Sequence, residues 1–228
     1  MTSSETTRPV QRRVRMGDFW LDAVTEREVI GAVREAWAAG QGGSIFPVNV
    51  DVLRMVDRQP GLAELLAAGS LVVADGMPLL WAARAGGQGL PERVTGASLM
   101  FSLSEAAAAD GRPVFLLGGA EGVRQAIAAV VAAAPALVFV GLGFPRQEKL
   151  IEQLRQAWPC AWYLACGGGI PMAAGVTRRA SRLAQRLGLE WAHRLVLEPR
   201  RLARRYLRDD LPFAIGLLAR TAMRRFPR

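Results

Sequence analysis

One histidine, one lysine and two cysteines are all that the 228 residues hold of those types, and each shortage closes a line of chemistry. His193 stands alone, no Asp-x-Asp pair stands at a strand end, and no serine elbow precedes His193, so neither a metal centre nor a hydrolytic triad is expected. Cys160 and Cys166 lack metal-ligand spacing and make no disulfide framework; both are expected as reduced thiols buried near a strand. There is no Gly-Lys-Ser/Thr loop, no strict dinucleotide fingerprint, no internal repeat and no heptad array. No apolar run approaches the roughly 18 residues of a membrane-crossing helix. Residues 1–15 are polar and basic with no hydrophobic signal core, and read as a disordered lead-in to a protein that stays in the cytoplasm.

What is present is apolar mass and a lopsided charge. Hydrophobic residues make up 51% of the chain, enough for one substantial core. Residues 178–228 carry 14 Arg against Glu190, Glu198, Asp209 and Asp210, a net of +10, while residues 1–177 carry 15 basic and 16 acidic residues, a net of −1. The surplus therefore sits in the tail. A basic, amphipathic C-terminus suits an anionic partner: the phosphates of a ligand, a nucleic acid or a lipid surface. Against this stands a solvated arginine face produced by compositional bias, which the lone Lys149 favours.

Apolar runs alternate with helical segments from residue 19 to residue 187. Phe19 to Val24 opens as a strand or hairpin, and Thr25 with Glu28 makes a capping box for a helix to about Ala38. Further strands are expected at Ser44–Val50, Leu71–Ala74, Pro113–Leu117, Leu137–Leu142 and Ala161–Cys166, each followed by a turn and a helix. This predicts an α/β, Rossmann-like fold, with a mostly parallel sheet covered by helices on both faces. After Leu187 the pattern becomes helical only, with a break at Pro199, a helix-ending turn at Asp209-Asp210 and a short apolar piece from Pro212 to Ala219. The organisation expected is a lead-in (1–15), a Rossmann-like domain (16–187) and a basic amphipathic helical appendage (188–228).

Ligands of open α/β sheets bind outside the carboxyl ends of the strands. Asp75, ending Leu71-Val72-Val73-Ala74 ahead of Gly76 and Pro78, stands there, although a carboxylate in this place also serves as a cap for the next helix. Asn49 ends another strand. Gly118 and Gly119, Gly141 and Gly143 (with Gln147), and Gly167 to Gly169 follow three more. Glycines let a ligand approach backbone N–H groups, and helix starts favour anions, but each such turn is also an ordinary strand-to-helix connection.

Seven motifs occur in an order that resembles one family. They are Asn49-Val50-Asp51, Val73-Ala74-Asp75-Gly76, Leu90-Pro91-Glu92-Arg93-Val94-Thr95-Gly96, Val114-Phe115-Leu116-Leu117-Gly118-Gly119, Gly141-Leu142-Gly143-Phe144-Pro145-Arg146-Gln147-Glu148-Lys149, Gly188-Leu189-Glu190-Trp191 and Glu198-Pro199-Arg200-Arg201. The chain resembles the WecG/TagA/CpsF family of bacterial glycosyltransferases (family 26) over about residues 19 to 210. The resemblance implies metal-independent, inverting transfer of a sugar (N-acetylmannosamine, its uronic acid or glucose) from a UDP-sugar to a polyprenyl-diphosphate-linked acceptor. The place implied is the inner face of the plasma membrane, in cell-surface polysaccharide biosynthesis, with homo-oligomers in solution and no cofactor.

The family's catalytic base falls on Asp75; Asn49, Arg93 and Gln147 fall on positions that contact donor or acceptor. Arg194, Arg201 and Arg204 match appendage arginines that close over the site; on a helix Arg201 and Arg204 share a face, joined by Arg194 two turns back if the break at Pro199 is mild. Two departures stand out. Pro47 occupies a position often held by Thr, and only Pro135 and Ala136 join a helix to a strand where family members have an extra strand, loop and helix. That shortening motivates an alternative: a non-catalytic, membrane-associated nucleotide-sugar binder in a polysaccharide assembly complex. Nucleic acid is not expected as a partner, because only Trp191, Tyr206, Phe213 and Phe226 interleave the tail arginines. Leu207, Leu211, Phe213, Ile215, Leu217 and Leu218 either anchor the tail in an anionic bilayer interface or pack on the main domain.

Overall fold

The computed structural model describes residues 12–17, 19–119, 122–167, 169–170, 181, 190–197 and 199–225, apart from the side chains of Arg194, Arg201 and Arg225. Residues 1–11 of the expected lead-in, and the expected boundary at 187–188, lie outside these. The lead-in does not extend to residue 15. Arg13-Val14-Arg15-Met16 alternates in period two, and as β1 (Arg13–Met16) it pairs antiparallel with β2 (Phe19–Asp22), burying Val14 and Met16.

The capping box at Thr25 and Glu28 is formed in both directions and starts α1 (Glu26–Ala38). The chain then alternates: β3 (Gly43–Val48), α2 (Val50–Arg58), α3 (Gly61–Ala67), β4 (Leu71–Ala74), α4 (Met77–Ala85), α5 (Gly96–Ala109), β5 (Val114–Leu117), α6 (Val123–Ala133), β6 (Leu137–Val140), α7 (Arg146–Ala157) and β7 (Trp162–Ala165). Strands β3 to β7 form one five-stranded parallel sheet in the order β4-β3-β7-β6-β5. Successive residues of the inner strands enter opposite apolar layers: Val138 and Val140 lie with α2, α3, α6 and α7, while Leu137 and Phe139 lie with α1 and α5. The Rossmann-like α/β architecture is thus present.

The sheet closes directly from β5 to β6, with Ala134 in the left-handed region (φ 44°) ending α6 and Ala136 N–H donating to Pro113 O at 2.9 Å. A strand-plus-helix unit is dispensable to the fold because parallel neighbours need only a crossover between them. At the other edge, Asp22 of the hairpin is 2% exposed and accepts the Val72 N–H at 2.7 Å. That carboxylate takes up an edge-strand donor otherwise left without a strand partner.

The tail is helical, as expected, but longer and more integrated. It runs through α8 (Glu190–Leu197), α9 (Pro199–Ala203), a π-helical turn (Arg204–Asp210) and α10 (Leu211–Arg225). No turn ends the helix at Asp209-Asp210. The winding widens there, Leu211 N–H donates to Tyr206 O, and the helix continues. Pro212 follows at once; it has no N–H to donate, and its ring would crowd the preceding turn of a regular α-helix. Ala214 and Leu217 of α10 enter the layer beside α4, and burying a leucine is worth roughly 1.5–3 kcal/mol. Phe213 and Leu218 pack partly against the same core, whereas Leu207, Leu211 and Ile215 are exposed. Packing on the main domain therefore holds for Phe213, Leu217 and Leu218 but not for the other three. Of the cysteines, Cys166 is buried and Cys160 is exposed, correcting the expectation for the latter, which lies in the turn before β7.

Candidate active site at the carboxyl edge of the sheet

Pro47 shapes the edge on which the site is built. Its backbone faces β7 and carries no N–H, so the β3–β7 ladder stops at Ile45–Leu164 while the β3–β4 ladder runs on to Val48–Ala74. The two central strands part there, and the start of α5 enters the gap. A Cβ on Gly96 would lie 3.3 Å from Pro47 Cγ and 3.4 Å from Cys166 Cα, so any larger residue would press these neighbours apart by a few tenths of an ångström.

Asp75 sits beside the gap. Its N–H donates to Val48 O at 2.7 Å, prolonging the β3–β4 ladder, and its Oδ2 accepts the Gly96 N–H at 3.2 Å. The capping alternative is therefore resolved in an unexpected way. Among the described residues Asp75 makes no cap bond to α4, the helix that follows it and whose N-cap is Gly76, but holds the first N–H of α5, where orphan donors and the helix dipole favour negative charge. The loop before α5 is drawn to the same strand by Val94 N–H donating to Ala74 O at 2.9 Å.

Asn49 is exposed at the end of β3, and its Oδ1 caps α2 by accepting the Val52 N–H at 3.0 Å. A Cβ on Gly76 would stand 3.9 Å from the Asn49 Cβ, so Asn49 and Asp75 flank one another. Arg93 is mostly buried and pairs with Glu190 of α8 at 2.9 Å. On the other flank, Arg54 bridges Asp51 and Asp210, the latter at 3.1 Å, and Arg205 lies 3.6 Å from Asp51. Burial, with the nearby Asp51 charge, pushes the Asp210 carboxyl above its ordinary value.

The tail is thus tied to the loop before α5 through Glu190 and to the start of α2 through Arg205 and Asp210. Trp191 meets the edge of Tyr206 at 6.3 Å, folding α8 back on the π turn. Arg194, Arg201 and Arg204 are carried on this stretch. Arg204 is exposed, and the side chains of Arg194 and Arg201 lie outside the described residues.

The strand-end glycines divide by what their backbones do. Gly141 N–H donates to Leu117 O at 2.9 Å, and Gly143 N–H donates to Gln147 Oε1 at 3.1 Å, so neither is left for a phosphate. A Cβ on Gly141 would fall 2.6 Å from Ile170 Cδ1 and 3.1 Å from Gly167 O, so a side chain there would displace the end of Ile170. Gly118 lies beside Gly141, whereas Gly119 (φ 105°) has open space around it. Of the third glycine turn, Gly168 is outside the described residues.

Gln147 turns inward. It is 5% exposed, its Oε1 also accepts the Gly167 N–H at 3.1 Å, and its Nε2 donates to Glu148 Oε1 at 2.9 Å. Glu148 is 2% exposed, and burial raises its carboxyl to about 7. Sequence reasoning passes over Glu148, Asp51, Arg54 and Glu190 as site residues. The available signal for Glu148 is its place beside Gln147 in a helix's first turn, where an acid reads as dipole matching. Two cavities, of about 170 and 440 Å³, lie against the hairpin around Arg15 and Gln88 and around Arg13 and Leu90. Asp75 lines neither.

The sequence pattern described as Glycosyl transferase WecG/TagA/CpsF family matches this chain over residues 14–133 and 123–227. The two stretches share 123–133, the span of α6.

Proposed function

Because the chain belongs to the WecG/TagA/CpsF family of glycosyltransferases, we propose that it moves a sugar from a UDP-sugar to a polyprenyl-diphosphate-linked acceptor in cell-surface polysaccharide synthesis, with Asp75 as the base. In this reading Asp75 takes the proton of the acceptor hydroxyl as its oxygen bonds to the anomeric carbon. The bond from that carbon to the diphosphate breaks on the opposite face, inverting the configuration, and UDP leaves. A hydrogen bond from a helix start holds the carboxylate in place, and proton transfer to a positioned base contributes about 10²–10⁴-fold.

The departing diphosphate needs fixed positive charge. Arg93, Arg194, Arg201 and Arg204 are the groups assigned to it, with Asn49 and the open turn at Gly118 and Gly119 offered to the substrates. Gln147 and the backbones of Gly141 and Gly143 belong to the frame of the site. The observation carrying this reading is a carboxylate at the carboxyl end of β4, beside the parting of β3 and β7, flanked on both sides by ion pairs to an arginine-rich tail.

The test is radiolabelled transfer from a panel of UDP-sugars to a polyprenyl-diphosphate acceptor. Turnover with one donor is expected; no transfer from any donor would reject the reading. The direct β5–β6 closure favours a second reading, nucleotide-sugar binding without turnover, and repeated turnover in the same assay removes it.

No helix among the described residues is long and apolar enough to cross a membrane. We infer peripheral docking on the inner face of the plasma membrane. It is supported by Leu207, Leu211 and Ile215, exposed at spacings of four beside Arg208 and Arg204. The double variant Leu211→Glu/Ile215→Glu is expected to pellet severalfold less with anionic vesicles than the parent; equal pelleting rejects the surface.

A further inference from the structure

We propose that Glu148 is a positioning residue: by accepting the Gln147 amide N–H, it fixes which way that amide faces, so that a single oxygen clamps the turns after β6 and β7. That these turns border the donor rests on the function proposed above; the clamp itself does not.

A glutamine amide has nearly the same shape either way round, and here the two ways are far from equivalent. As found, Oε1 accepts from Gly143 N–H and Gly167 N–H, both at 3.1 Å. Reversed, an NH₂ group would oppose two N–H donors. The acceptor that holds the favourable sense is Glu148 Oε1, at 2.9 Å from Nε2. With Gln147 and Glu148 5% and 2% exposed, water has no ready access to replace either partner.

Glu148 is an expensive residue to keep for packing alone. Its second oxygen, Oε2, is buried without a hydrogen-bond partner, and an apolar residue of similar volume would avoid that cost. The clamp also reaches toward Asp75. Gly167 adjoins Cys166, whose Cα lies 3.4 Å from where a Gly96 Cβ would be, and Gly96 donates to Asp75. Loosening the β7 turn therefore loosens the packing behind the α5 start.

The test uses the full chain, with amide hydrogen exchange at Gly143 and Gly167 as first readout and UDP affinity as second. Glu148→Leu removes the acceptor without leaving a cavity, Glu148→Gln keeps an acceptor, and Gln147→Ala removes the clamp. Expected is exchange faster by about tenfold at both glycines in Glu148→Leu. The parental rate should be kept in Glu148→Gln, and Glu148→Leu should add nothing in the Gln147→Ala background. Thermal stability of Glu148→Leu should be equal or higher, so that clamp and fold move in opposite directions. UDP affinity should fall about tenfold with the clamp.

Unchanged exchange at the two glycines in Glu148→Leu overturns the proposal. So does acceleration spread evenly over β3 to β7, or a Gln147→Ala effect to which Glu148→Leu simply adds. If exchange behaves as expected while the parent fails to bind UDP, the clamp stands and the donor reading falls.

Discussion

Asp75→Asn is expected to slow sugar transfer by about 10²–10⁴-fold while leaving the protein folded and UDP affinity within about twofold of the parent. Asparagine has the same shape and retains an oxygen able to accept the Gly96 N–H now held at 3.2 Å, so the start of α5 stays seated against Pro47 and Cys166. What it cannot do is take a proton from the acceptor hydroxyl. The loss belongs in kcat rather than in donor KM, since the change touches the transition state for proton transfer and not the diphosphate contacts. Steady-state transfer with labelled donor and titration of UDP against both proteins check this. An unchanged kcat would remove Asp75 from the role of base, and a matching collapse of UDP affinity would assign it to donor binding instead.

The second large effect concerns stability. Burial lifts the Glu148 carboxyl from its ordinary 4.5 to about 7. Below 4.5 the group is protonated both folded and unfolded and contributes no pH dependence. Between 4.5 and about 7 the unfolded chain gives up this proton while the folded chain keeps it, so stability falls as pH rises, and it levels off above 7, where both forms are ionised. The interval corresponds to about 3 kcal/mol. Glu148→Gln abolishes the titration and still offers an acceptor to Gln147. Its stability relative to the parent should therefore climb by about 2–3 kcal/mol between about pH 5 and pH 8. Urea unfolding at the two pH values measures the difference. A constant difference, or one that shrinks with rising pH, would mean that Glu148 is not a buried carboxyl of raised pKa.

The two results bear on one arrangement. The carboxylate proposed for chemistry is braced by a backbone N–H at a helix start, and a second carboxylate sets the turns of the neighbouring strands. Both work through hydrogen bonds to turns and helix starts at the carboxyl edge of a sheet whose central strands part at a proline.

Order along the chain, and with it the fold class, is written in the residues. Four-residue apolar runs closed by Gly, Pro or an acid become strands, the Thr25–Glu28 box starts a helix, and Asn49 and Asp75 fall at strand ends, because each depends on neighbours within about one helical turn. Where such a reading fails, a distant partner decides. Arg13 to Arg15 read as a charged lead-in, yet they form a strand because β2 lies alongside and Asp22 lies within 3.4 Å of Arg13. Asp210 reads as the end of a helix; its true partner is Arg54, 156 residues away. Asp75 is legible as a strand-end acid, but only folding presents it to Gly96 rather than to its own helix. The inward turn of Gln147 and the burial of Glu148 follow from how β6, β7 and α7 pack, and packing is a property of surfaces brought together across the sheet, which no local run of side chains specifies.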